Sequence, residues 1–100
     1  MLTIDLRGSK KKVDQILAEE SINFSRAIIE GVCDAVDKNV SRVTCLVVLT
    51  DSEVFSFTAS RSYYIQTLQA NIINMIKVEE YELCAKAVQY IKRLEMKLLN

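Results

Sequence analysis

The chain has 100 residues, half of them hydrophobic, with thirteen basic side chains balanced by thirteen acidic ones and no histidine. Zero net charge excludes the long-range attraction used by a generic DNA binder or a peripheral membrane protein, and the apolar runs fall short of the about 18 residues of a membrane span. The size fits one domain, residues 1–100, with one modest core, and so much apolar surface is hard to hide in a small monomer.

Met1 to Gly8 alternates, with Leu2, Ile4 and Leu6 on one side and Thr3, Asp5 and Arg7 on the other, the pattern of a short edge strand ended by Gly8. Its short apolar piece precedes its charge, so no signal peptide is expected. Ser9 is placed to cap a helix whose apolar positions, Val13, Ile16 and Leu17 and then Phe24, Ile28, Val32 and Val36, recur at helical spacing. Residues 9–38 therefore read as mostly helix, with a kink or a fresh N-cap at Ser21-Ile22-Asn23. The basic cluster Arg7, Lys10, Lys11 and Lys12 lies at this helix start, where cations oppose the dipole; with no aromatic residues interleaved, a solvated approach or a later helix start is favoured over nucleic-acid contact.

Arg42 to Thr50 (RVTCLVVLT) is β-branched and apolar on both faces, which suits a central strand. Asp51 and Ser52 supply turn chemistry, and Val54 to Ala59 returns as the second arm of an antiparallel hairpin spanning 42–59.

Charged residues make up 26% of the chain, yet none occurs in the fifteen positions from Ser62 to Ile76. Ser60 can cap this helix, and Tyr64, Ile65, Leu68, Ile72, Met75 and Ile76 recur as its core-facing positions. A helix with an ordinary solvent face would carry Lys or Glu, so this one is expected to be covered on more than one side. A second copy of the chain or another protein is the expected cover, with Tyr64, Leu68, Ile72, Ile73 and Met75 at the interface.

After a short break near Lys77 to Glu79, a last helix opens on Glu79, Glu80 and Glu82 and closes on Lys92, Arg93 and Lys97, an order that complements the helix dipole. Its apolar stripe includes Leu83, Ala87, Ile91, Leu94 and Leu98, so the C-terminal third reads as a helical hairpin. Together these elements predict an α+β fold: a small antiparallel sheet, made of the hairpin and an N-terminal edge strand, packed by a long N-terminal helix and the C-terminal helical hairpin.

Within the last helix, Glu80 to Glu95 (EYELCAKAVQYIKRLE) resembles the UVR motif of excision-repair subunits and some stress adaptor proteins, through Tyr81, Glu82, Cys84, Ala85, Ile91, Leu94 and Glu95. The Arg-Asp pair of that motif is replaced by Val88 and Gln89. The resemblance implies a helical element used for protein docking.

Chemistry-bearing groups are sparse. Cys33, Cys45 and Cys84 are far apart, with no CxxC pair and no histidine, so no metal site, disulfide framework or cofactor is expected, and reduced thiols suit a cytoplasmic protein. Without histidine, and with its acids gathered at helix surfaces and first turns, the chain is not expected to be an enzyme. The sharper candidate is Ser60-Arg61-Ser62-Tyr63, where a strand runs into a helix start with two hydroxyls, a guanidinium and a tyrosine ring able to hold an anion or a nucleotide.

The composition therefore points to a non-enzymatic interaction or regulatory module, homo-oligomeric as a dimer or higher, which binds another protein in the style of small phage inhibitors or adaptors. Membrane and nucleic acid are not expected partners. An alternative is a module that binds an anionic small molecule at the Ser60–Tyr64 junction.

Overall fold

The structure is a computed structural model that describes residues 1–99, the side chains of Val13 and Leu99 excepted. The expected place of Val13 on a buried stripe thus falls outside the described residues. Strand β1 (Leu2–Asp5) leads through helices α1 (Val13–Glu19) and α2 (Ser21–Asp37) to strand β2 (Arg42–Leu49) and strand β3 (Val54–Ser60). A single 3₁₀ turn, Arg61–Tyr63, then opens helix α3 (Tyr64–Lys77), which is followed by helix α4 (Tyr81–Leu99).

The fold is α+β, with strand order β1-β2-β3 and a C-terminal helical pair. β2 is central, as its two apolar faces indicate, and pairs antiparallel with β3. Thr50 closes the hairpin turn: its N–H and hydroxyl donate to the Glu53 carbonyl at 2.9 and 3.0 Å. The register slips between Thr44 and Leu46, and this bulge lets the consecutive residues Cys45 and Leu46 both be buried.

One detail differs from expectation: β1 pairs parallel with β2, Leu2 opposite Leu46 and Asp5 opposite Leu49, so the sheet is mixed. Alternation identifies a strand and its two faces but carries no direction; the two intervening helices return the chain to the end from which it started, which makes the second strand parallel to the first. The end of β1 is tied to the hairpin turn, where the Gly8 N–H (φ 81°) donates to the Asp51 carboxylate at 3.1 Å.

The first helix begins at Val13, not at Ser9, with Lys12 in the cap position and no side-chain cap. Ser9 instead accepts the Lys11 N–H at 3.2 Å. The helical run breaks at Glu20 (φ −102°, ψ 8°), one residue before the expected step. Of the basic cluster, Arg7 and Lys11 are paired with Asp5 and Glu19 at 2.7 and 3.0 Å on the surface.

α2 packs on β2 with one side and on α3 and α4 with others. Both α2 and α3 end in the same device. Asn39 (φ 55°) and Glu79 (φ 61°) take the left-handed conformation just past each helix. The next N–H, of Val40 or Glu80, then reaches back to Ala35 or Met75 at 3.0 and 2.9 Å. Two non-glycine residues thereby stop two helices in a chain that has no proline.

α3 lies against both α2 and α4, so the chain itself covers two of its sides. Tyr64, Leu68 and Met75 have no exposed surface, and Asn74 donates to the buried Ser25 hydroxyl at 2.8 Å. The lack of charge on these sides is therefore explained within one chain. The remaining stripe, Gln66, Gln69, Ala70, Ile73 and Ile76, is exposed and uncharged until Lys77 closes the helix; Ile76, expected to face the core, is 51% exposed.

Candidate functional site

The end of α2, the 3₁₀ turn and the end of α4 converge on one cavity. The left-handed Asn39 presents its Oδ1 to the Arg61 guanidinium at 2.9 Å. Beside it the Arg61 N–H donates to the Ser41 carbonyl at 2.8 Å, and the Tyr64 hydroxyl to the Val40 carbonyl at 3.1 Å. These bonds fix the turn against the α2–β2 loop, and burial pushes the Tyr64 phenol above its ordinary value.

The cavity formed there measures about 280 Å³. Arg61, Ser62 and Asn39 line it together with Lys97 of α4, and Ile65, Leu94 and Leu98 supply apolar wall. Among the described residues that line it, none carries a carboxylate. Two cations, a hydroxyl and an amide beside a greasy wall can hold an anionic head with an apolar body.

Of the four residues expected to bind a ligand, Arg61 and Ser62 line this cavity, whereas Ser60 and Tyr63 are not among its lining residues. Ser60 lies at the end of β3 with its hydroxyl 3.3 Å from that of Ser62, and Tyr63 points outward, 61% exposed. The contributors sequence reasoning missed are Lys97 and Asn39, because no local pattern links positions so far apart in the chain.

The expected interface residues separate as well. Tyr64, Leu68 and Met75 fill the chain's own core and offer no surface to a partner, a correction to their expected role; the helix spacing that marked them is the spacing of ordinary core positions. Ile72 is partly buried against that core. Only Ile73 is open, at 57% exposure, with Ile76 one turn further on. A second uncharged surface that interface reasoning overlooked is β3, where Val54, Phe55 and Phe57 are exposed.

All three cysteines are buried and unpaired in disulfides. Burial pushes the Cys33 thiol up to about 11 and raises Cys45 too, so neither is ionised near neutrality. Among the described residues no group of Cys, Asp and Glu could hold a metal, and no helix is long and apolar enough to cross a membrane. A larger cleft of about 580 Å³ between β1 and α2 places Glu20, Glu30 and Asp34 near Arg26, which is already engaged with Glu80 at 2.9 Å.

Comparison of the chain with family models, with curated proteins and with solved structures finds no match. Of the stretch Glu80 to Glu95, Glu80 belongs to the turn that follows α3 and the rest lies in the unbroken helix α4.

Proposed function

We propose that this chain is a small cytoplasmic, non-enzymatic interaction module that self-associates and acts by covering a surface of another macromolecule. One observation carries the reading: after α2 and α4 have covered two sides of α3, its outward stripe bears no charge from Gln66 to Ile76, before the terminal Lys77, and leaves Ile73 and Ile76 half exposed. Burying two isoleucines one turn apart against a partner's apolar surface would be favourable, and no charge between Gln66 and Ile76 opposes it. The UVR-like pattern in α4 agrees with a docking role, and the small, compact style of a phage inhibitor or adaptor is in keeping with it.

Light scattering over a concentration series tests the reading. A mass at least twice the 11.4 kDa of one chain supports it, and a single-chain mass at about 100 µM removes its premise.

A second reading is favoured by the cavity at Arg61. With Lys97 also lining it and no carboxylate among its described lining residues, it suits a phosphorylated or carboxylated small molecule with an apolar body. A thermal-shift panel of nucleotides and acyl phosphates tests it: stabilisation abolished by Arg61→Ala supports the site, and silence across the panel leaves interaction as the function.

A further inference from the structure

The two edges of the sheet are guarded unequally. β1 is four residues long and ends on Asp5, which is locked to Arg7 at 2.7 Å. β3 runs seven residues, Val54–Ser60, with neither a charge nor a proline, the residues that ordinarily protect an edge from pairing. Its side chains are open too: Val54, Phe55 and Phe57 are 69, 42 and 37% exposed.

Phe55 and Phe57 stand opposite Val48 and Leu46, which are buried, and therefore project from the core-facing side of the sheet. The core stops short of them. They are unfinished core at an unpaired backbone edge.

We infer that β3 is the contact between two copies of this chain, paired antiparallel about a two-fold axis through Phe57. This rests on the self-association proposed above and places it on β3, which leaves the α3 stripe for the other macromolecule. Only this register pairs all seven residues of β3 with their counterparts. It sets Phe57 against Phe57 of the second copy, Phe55 against Ala59, and Ser56 against Thr58. Aromatic meets aromatic at the axis, and the large Phe55 meets a small residue that leaves it room.

Charge selects the same register. Glu53 and Arg61 flank the uncharged strand at its two ends, and in this pairing Glu53 of each copy comes opposite Arg61 of the other. Neither belongs to the ion pairs found within the chain among the described residues. Self-pairing thus supplies two oppositely charged contacts and no like-charged one. The partner is a second copy because the strand and its flanking charges are self-complementary.

The test combines mass and cross-linking on the full chain. Wild type is expected at twice 11.4 kDa by light scattering. Phe57→Lys, which puts like charges at the axis, and Glu53→Arg alone are each expected to weaken the dimer by about tenfold or more. Glu53→Arg combined with Arg61→Glu restores it, with circular dichroism confirming that every variant is folded.

Phe57→Cys provides a readout that does not depend on weakening. With the native thiols buried, a mild oxidant such as diamide is expected to link two copies at the axis, while Val54→Cys, whose copies lie at opposite ends of the paired strands, stays unlinked. A wild type that remains at 11.4 kDa at about 100 µM overturns the self-association itself. A wild-type dimer that Phe57→Lys leaves intact, and that Phe57→Cys does not cross-link, overturns the β3 contact alone.

Discussion

Gly31 of α2 lies directly against Cys45 of β2: a Cβ on the glycine would stand 2.8 Å from the cysteine sulfur and 3.3 Å from its Cβ. The sulfur has little room to retreat, since it approaches the Ile28 carbonyl at 3.8 Å in a fully buried site. This accounts for a glycine in the middle of a helix, where it costs about 1 kcal/mol relative to alanine. Gly31→Ala is expected to destabilise the protein by about 1–3 kcal/mol in spite of alanine's better helix propensity. Urea unfolding measures the loss, and adding Cys45→Ala should recover part of it, because the two sites share one contact.

Glu79 sits at φ 61°, a conformation that costs an L side chain about 1 kcal/mol and a glycine nothing. The backbone bonds from Glu79 to Ile76 and from Glu80 to Met75 do not need its side chain. Glu79→Gly should therefore raise stability by about 0.5–1 kcal/mol, a gain of about 2–8 °C in melting temperature. An unchanged or lower midpoint would show that the Glu79 side chain supports the turn in another way.

Leu68 and Ile73 lie on opposite sides of α3 and should answer differently to mutation. Leu68 has no exposed surface, so Leu68→Ala is expected to cost about 2–5 kcal/mol in chemical denaturation. Ile73 is 57% exposed, and Ile73→Glu should leave the stability of the single chain within about 0.5 kcal/mol. Any change in what Ile73→Glu binds can then be assigned to a lost contact and not to unfolding.

Acid should weaken the junction between α2 and α4. Asp37 accepts hydrogen bonds from the Tyr90 phenol and from the Arg93 guanidinium, and these, the Tyr90 bond foremost, hold its carboxyl below the ordinary value of 3.8. The side-chain bond from Arg7 likewise lowers Asp5 to about 2. A carboxyl whose folded pKa is depressed stabilises the fold fully above its unfolded value and loses that contribution as pH falls through the folded one. The melting temperature should thus decline between about pH 4 and pH 2, with Asp37→Asn making the decline shallower. Both carboxylates are exposed, so the effect is modest and shrinks in high salt.

Much of this fold could be read from residue order. The β-branched run from Arg42 to Leu49 gave the central strand, Asp51-Ser52 the turn, and the acidic-to-basic sense of residues 80–97 the last helix. What escaped is what depends on three dimensions. Parallel pairing of Leu2 with Leu46 leaves no trace in a period of two, and the cover that α2 and α4 give to α3 cannot be told from a partner's cover by composition alone. At the candidate site, Arg61 and Ser62 stood out as neighbours in sequence, but Lys97 joined them only through folding. The open Phe57 read as an ordinary alternating strand residue because alternation reports which face a side chain takes, not whether anything covers that face.

The parallel pairing of β1 has a consequence for the order in which the molecule is built. Leu2 must wait for more than forty further residues to be synthesised before Leu46 exists to receive it, while the β2–β3 hairpin closes over a short turn. β1 therefore docks by a long-range contact, and the hairpin beside it by a local one. The amides of β1 should be the least protected of the sheet in hydrogen exchange, a seam that opens while the rest stays shut.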